Sequence, residues 1–312
     1  MPIRVVQHRH GGPEVLEIAE VPRPTPEAGE LLVRAHAAAL NPIDAKTRRG
    51  QALPLPFPVS VGWDFAGVVE AVGDGVDSFA VGDRVFGMPL FPAQAGYGTY
   101  VAGPAEQWAH SPTTLDDVQA AAVPLAAITA LQAFRDVADL QPGQRVLVHA
   151  AGGGVGHLAV QIAVVLGAEV VATASEEKAS FVAGLGADQV IDYRSDDFVE
   201  VLEGDPVDLV LDLIGGENAV RSLEVTRPGG LVIGVPSANR ADLLEAAPGT
   251  PARAAGVTAS PDGAALREIA GWIDAGRLTP TVSETYDISD VQQAHASLDT
   301  GRTLGKIVLT IP

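Results

Sequence analysis

The sequence predicts an α/β protein: a doubly wound parallel sheet set within a strand-rich domain that the chain leaves and later re-enters. Three observations carry the prediction. Between Val146 and Val235, short apolar runs alternate with helix-patterned stretches, the signature of a parallel sheet with right-handed crossovers. A glycine cluster, Ala150-Ala151-Gly152-Gly153-Gly154-Val155-Gly156, separates the first of those runs from the first helix. Residues 1–110 read instead as strands broken by Gly, Pro and Asp, and a last strand is expected at Lys306–Ile311.

The elements follow in order. Leu31–Ala35 and Val68–Val72 are β-type runs. A helical region starts near Thr114 and is expected to run past Pro124 to about Ala138, and Gln141–Gln144 forms a turn. Val146–His149 opens the parallel sheet. In the helix after the glycines, Val155, Leu158, Ala159, Ile162 and Leu166 share one face. A strand at Glu169–Thr173 and a helix at Glu176–Leu185 come next, then strands at Val190–Tyr193, Leu209–Leu213 and Leu231–Val235. Residues 236–255 read as a loop or a loosely patterned helix, and Gly263–Ala275 as an amphipathic helix. The expected domains are 1–121 and 256–312 together, with 122–255 between them.

Composition narrows the function. The 312 residues suffice for two domains. Twenty basic against 39 acidic residues leave a net charge of −19, which argues against nucleic acid or a membrane surface as partner. Cysteine is absent, so disulfides, thiolate metal ligands and thiol nucleophiles are excluded. Met1–Val6 lacks a sustained apolar core, and the Ala-rich stretch Ala120–Leu131 is too short to span a bilayer. A cytoplasmic location is the expectation.

The glycine cluster carries the first functional reading. Taken as A-x-G-x-x-G, it uses Ala151 for the tight turn, Gly153 for close approach of a pyrophosphate and Gly156 for packing of the helix on the strand. The first amides of the helix, from Gly154 and Val155 onward, then face the phosphates. NAD-binding units carry an acid about 20 residues further on. Here Thr173-Ala174-Ser175 occupies that place, with Lys178 and Tyr193-Arg194 following. A missing acid with cations and hydroxyls nearby favours the 2′-phosphate of NADPH. Each residue also has a plainer role: Ser175 as a helix N-cap, Lys178 as a solvated helix residue, Tyr193 as a packed strand end.

The chain resembles the medium-chain dehydrogenase/reductases, in particular their zinc-independent branch of quinone oxidoreductases and enone reductases. The resemblance rests on Gly11–Leu16 (GGPEVL), Asn41–Lys46 (NPIDAK), Gly62–Val69 (GWDFAGVV), Val81–Val85 (VGDRV), Ala121–Leu125 (AAVPL), Thr129–Ala133 (TALQA), the glycine cluster and Gly305–Leu309 (GKIVL), in that order. It implies a distorted β-barrel catalytic domain resembling GroES, a Rossmann domain, an active site in the cleft between them, and a homodimer. It also implies that Asn41 and Thr129 line the nicotinamide and its ribose. The backbone at Gly234 and Val235 would meet the carboxamide, and Lys178 and Tyr193 the 2′-phosphate. Zinc-dependent relatives carry a Cys ligand near the place of Asp44-Ala45 and a His–Glu pair at Trp63-Asp64. No metal is therefore expected.

The function these readings imply is NADPH-dependent, metal-free reduction of a quinone or an α,β-unsaturated ketone. The alternative is a redox-inactive NADPH-binding sensor or a lens-type structural protein. Hydride transfer leaves negative charge on the substrate oxygen, and a cation aimed at it lowers the barrier. Lys46 is the first candidate, with a surface lysine beside Arg48 and Arg49 as the other reading. Tyr97 could donate a hydrogen bond to substrate or pack in the barrel. Asp64 could pair with Lys306, and Asp44 could hold the Asn41 turn. Loops near residues 50–58, 88–97 and 236–256 would shape the substrate pocket.

Overall fold

Residue pattern sets the first strands. Leu31, Leu32, Val33, Ala35 and Ala37–Ala39 are all buried, and small and branched side chains suit a strand packed on both faces. A computed structural model describes residues 1–52, 55–89, 96–235 and 240–312. Residues 53–54, 90–95 and 236–239, all within the loops expected to shape the substrate pocket, lie outside the described residues.

The first elements are β1 (Ile3–Val6), β2 (Glu17–Glu20), β3 (Glu30–Ala39), α1 (Pro42–Arg48), β4 (Asp64–Val72), β5 (Arg84–Gly87), β6 (Tyr100–Pro104), β7 (Trp108–His110), α2 (Asp117–Ala121) and α3 (Pro124–Gln132). The parallel region follows: β8 (Arg145–Val148), α4 (Gly156–Val165), β9 (Glu169–Ala174), α5 (Glu176–Gly184), β10 (Gln189–Asp192), α6 (Phe198–Val201), β11 (Val207–Asp212), α7 (Glu217–Arg221), β12 (Thr226–Gly234), α8 (Arg240–Ala246) and β13 (Arg253–Gly256). The chain ends this course with α9 (Gly263–Asp274), β14 (Val282–Asp287), α10 (Val291–Asp299) and β15 (Lys306–Thr310).

Two units result. One joins Met1–Leu125 to Ser260–Pro312; the other is Ala126–Ala259. The first holds a β1–β2 hairpin and a seven-stranded sheet of order β14-β15-β3-β4-β5-β7, with β6 also on β3. Its pairings are antiparallel except β14 with β15. Register shifts at Leu32/Val33 and Ala35/Ala37 interrupt the β3–β4 ladder and bend it around a core that includes Leu31, Val33, Phe65, Val69, Trp108, Ile307 and Leu309. The second unit is an all-parallel sheet of order β10-β9-β8-β11-β12-β13. The order reverses between β8 and β11, and ligands of such sheets bind beyond the strand ends at that switch.

Several expectations need correction. The helix does not run through Pro124: α2 stops at Ala121 and α3 begins on the proline. A residue without an N–H is tolerated in a first turn but not inside a helix. Strands β13 and β14 and helix α10 fall where no clear residue pattern marks an element. Arg48, beside which Lys46 is alternatively read as a surface lysine, is itself fully buried. Its Nε donates to the Gly11 carbonyl, Nη1 to His295 Nδ1 at 2.8 Å and Nη2 to Asp299 at 2.6 Å, which ties α1 to α10.

Two buried imidazoles make stability depend on pH. Burial lowers His149 and His295 to about 3, against about 6.5 in an unfolded chain. As pH falls below about 6.5, the unfolded chain takes up protons that the folded sites refuse. Stability is lost at roughly 1.4 kcal/mol per pH unit for each imidazole until the folded value is reached. Asp44, raised by burial to about 7, works oppositely. Its contribution is present below about 3.9 and is lost as pH rises to 7. His295 and Asp44 share the first unit and offset one another, whereas His149 lies in the second. Lowering the pH from 7 to 5 should therefore weaken the parallel-sheet unit selectively among these groups, by about 2 kcal/mol. Urea unfolding followed by circular dichroism should show the loss, and His149→Asn should flatten it. Tryptophan fluorescence should shift little, because Trp63, Trp108 and Trp272 all lie in the first unit. A slope unchanged in the variant would remove His149 as the cause.

Candidate cofactor and active site

The glycine cradle is built from the end of β8. Ala150 takes a left-handed conformation, φ 51°, which disfavours a Cβ-bearing residue and needs support. Thr173 at the end of β9 provides it: its Oγ1 accepts from Ala150 N at 3.2 Å and its carbonyl from Ala151 N at 3.0 Å. Thr173 Oγ1 also contacts His149 Nδ1, whose Nε2 meets Ser222 Oγ at 3.1 Å. The left-handed turn residue is thus Ala150, with Ala151 buried just behind it.

Glycine is required at Gly156, where the neighbours are backbone, and leaves room for a lysine stem at Gly152. A Cβ on Gly156 would collide with the Ala150 carbonyl oxygen and lie 2.7 Å from Ala151 Cα, so α4 could not approach β8. A Cβ on Gly152 would lie 2.9 Å from Lys178 Cδ; the lysine stem crosses the loop there. At Gly153 a Cβ would sit 3.2 Å from the Ala150 oxygen. The loop, with Gly154 and Val155 leading into α4, is a cradle that side chains would fill. These residues fit a dinucleotide.

At the ends of β9 and β10, Ser175 is the N-cap of α5 and is buried, and its hydroxyl bonds the Glu177 carboxylate. Lys178 is partly buried, and burial lowers its ammonium from the ordinary lysine value. Tyr193 is 56 % exposed, so it is not a packed strand end. Arg194 bonds Glu177 at 2.7 Å.

Gly234 ends β12 and Val235 follows it. The Gly234 carbonyl accepts from Val257 N at 3.3 Å, and the Val235 carbonyl from Arg240 Nη2 at 3.3 Å. Arg240, which the sequence reading missed, also donates to the Val257 carbonyl. Gly256 leaves room for it, since a Cβ there would collide with the guanidinium. Thr129 is buried on α3.

The first unit holds a polar network inside an apolar core. Asn41 caps α1; its backbone N–H donates to Asp44 Oδ2 at 2.7 Å. Asp44 thereby holds the Asn41 turn. Tyr97, fully buried, gives its hydroxyl to the same oxygen at 2.7 Å, so that hydroxyl is committed inside the protein. Asn41 Nδ2 donates to Asp64 Oδ2 at 2.8 Å, and Asn41 Oδ1 accepts from Lys306 Nζ. Lys306 donates further to the Leu40 carbonyl and pairs with Asp64 at 3.3 Å; the pairing expected of Asp64 is present. Asp64 Oδ1 accepts from Leu125 N at 2.6 Å. Burial raises both carboxylates, while the Lys306 charge opposes the shift. Asn41 is 2 % exposed, and its whole side-chain amide is engaged in this network. Lys46 lies on α1 and is partly buried. Among the described residues its ammonium has no hydrogen-bond or ion-pair partner.

Comparison with known proteins agrees with this architecture. Residues 27–113 match the model of the alcohol dehydrogenase GroES-like domain, and residues 185–309 that of the zinc-binding dehydrogenases. A 2-haloacrylate reductase of Burkholderia sp is 33 % identical over 99 % of both chains. The quinone oxidoreductase structure from Coxiella burnetii superposes with a TM-score of 0.93 at 33 % identity, covering 100 % of each chain. The chain belongs to the medium-chain dehydrogenase/reductase family, in its quinone oxidoreductase branch. Its two units are the GroES-like and Rossmann domains of that family. The Escherichia coli quinone oxidoreductase complexed with NADPH superposes with a TM-score of 0.87 at 30 % identity over 99 % of each chain. The chain also matches part of the Streptomyces halstedii polyketide synthase GfsB, at 37 % identity over 92 % of this chain but 5 % of that protein. An oxidoreductase acting on a small molecule follows from these relatives. Among the described residues no three His, Asp or Glu gather to hold a metal, and no helix is long and apolar enough to cross a membrane.

Proposed function

We propose that this oxidoreductase uses NADPH to reduce a quinone or an α,β-unsaturated ketone, without a metal. The observation that carries the cofactor choice is Lys178 laid across Gly152 of the cradle, beside a strand end, Thr173-Ala174-Ser175, that lacks an acid. Ala151, Gly153, Gly154, Val155 and Gly156 would hold the pyrophosphate, and Ser175, Lys178 and Tyr193 the 2′-phosphate. Asn41 and Thr129 would bound the nicotinamide side, with the backbone of Gly234 and Val235 near the carboxamide. Bound NADPH would supply the hydride. Lys46 would face the substrate oxygen and stabilise its developing charge. Tyr97, its hydroxyl spent on Asp44, would act by holding α1. Family resemblance favours a homodimer, and the absence of cysteine fits a reducing cytoplasm.

The test has two parts. NADPH oxidation with a quinone or an enone should proceed in the presence of a chelator. Cofactor binding without turnover of any electrophile would instead mark a redox-inactive sensor or structural protein. Lys178→Ala should weaken NADPH binding by roughly tenfold or more and NADH binding little, because a charge-assisted contact to phosphate is lost. Equal losses for both cofactors would overturn the assignment of NADPH.

A further inference from the structure

The ends of β9 and β10 carry an ion pair that the reading above leaves unused. Glu177 Oε1 and Arg194 Nη1 are 2.7 Å apart, with both side chains more than half exposed. Arg194 stands 6.0 Å from the centroid of the Tyr193 ring. The charges of Arg194 and Glu177 both act on Lys178, in opposite senses. Glu177 also bonds the Ser175 hydroxyl, and its carboxylate lies below the usual range because of Arg194 and Ser175. The four groups are therefore one cluster with two cations, one anion and one exposed aromatic ring, and it adjoins the glycine cradle through the Lys178 stem.

An ion pair this exposed adds little to stability. It does fix where charge lies. In this arrangement the Glu177 carboxylate sits on the second cation of the cluster, where an incoming phosphate dianion would bind. Building on the NADPH reading, we propose that Arg194 is a further ligand of the cofactor 2′-phosphate, and that Glu177 competes with that phosphate for it. The pair then sets the ratio of NADPH to NADH affinity. Glu177 holds Arg194 in place while the site is empty and repels the phosphate as it arrives. NADH, which lacks the phosphate, meets a cluster already neutralised in part, and has no need to break the pair.

The two members of the pair therefore act with opposite sign, which a purely structural tie between α5 and β10 would not do. Equilibrium titration of cofactor fluorescence, with NADPH and NADH separately, tests this on the full-length protein. Glu177→Gln should tighten NADPH binding by about two- to fivefold and leave NADH binding nearly unchanged. Arg194→Ala should weaken NADPH binding by roughly tenfold, while NADH binding stays level or strengthens as the Glu177 carboxylate becomes available to ribose hydroxyls. Shifts of equal size and sign for both cofactors, or none, would overturn the proposal and leave the pair as a surface tie. Lys178→Ala, titrated alongside, separates the two levels of the argument. If Lys178→Ala discriminates between the cofactors but Glu177→Gln and Arg194→Ala do not, only the competition is wrong. If Lys178→Ala does not discriminate, the 2′-phosphate site itself is wrong, and the competition falls with it.

Discussion

Replacing Lys306 by methionine should destabilise the GroES-like unit by about 3–5 kcal/mol. The ammonium is almost wholly buried and is shared by Asp64, Asn41 and the Leu40 carbonyl. Methionine fills the space of the stem but supplies no charge. Asp64 would keep its bonds from Leu125 N and Asn41 Nδ2, yet it would remain an uncompensated charge in an apolar interior or take up a proton. Asn41 Oδ1 would lose its donor as well. Urea unfolding followed by tryptophan fluorescence reads this unit directly. Lys306→Met combined with Asp64→Asn should recover part of the loss, because a neutral pair removes the buried charge. An unchanged midpoint in the single variant would show that the network makes no net contribution.

Lys46→Ala should lower turnover by about 10²–10³, or roughly 3–4 kcal/mol of transition-state stabilisation, with little change in NADPH affinity. The residue is one turn beyond the Asn41 cap, on a helix fixed by Asp44 and by buried Arg48. A cation on so firmly held a helix costs little reorganisation when charge develops opposite it. Lys46→Arg should restore part of the rate, since charge survives while reach and geometry change. Normal turnover in Lys46→Ala would leave the lysine with another role: favourable interaction with the C-terminal dipole of α1. Loss of NADPH affinity would assign it to the cofactor instead.

The centre of the parallel sheet was legible because β8, β9 and β11 are short apolar runs that are largely buried, and the glycine cluster marks the turn after β8. The elements missed were those with weaker chemical contrast. In β14, Ser283, Glu284 and Thr285 face outward or only half inward at the sheet edge, so polar residues dominate its pattern. In α10, Val291, Ala294 and Leu298 do keep a helical spacing, but His295 on the same face reads as polar. Its burial depends on Arg48, 247 residues earlier. Strand β13 is four residues long, Arg253-Ala254-Ala255-Gly256, with no branched or aromatic apolar residue, and Pro251 precedes it closely. The glycine cradle and the cations at Lys178 and Tyr193-Arg194 could be found by local spacing. Packing of Tyr97 in the barrel was one of its two readings, but its bond to Asp44 was not legible, because Asp44 is 53 residues away and only the bent sheet brings the two together.

The re-entrant course of the chain also orders its birth on the ribosome. Strand β3 cannot be completed on its β15 side until Lys306 is made, 266 residues after Leu40. At about 5–20 residues per second this delay is on the order of tens of seconds. The Rossmann unit, contiguous from 126 to 259, emerges whole during that wait and can fold ahead of the unit that precedes it in sequence. Meanwhile Asp64 and Asn41 await their cation, and the β3 edge that β15 will cover stays open. Nascent chains stalled before Lys306 should accordingly be protease-resistant across residues 126–259 and cleavable across residues 1–125.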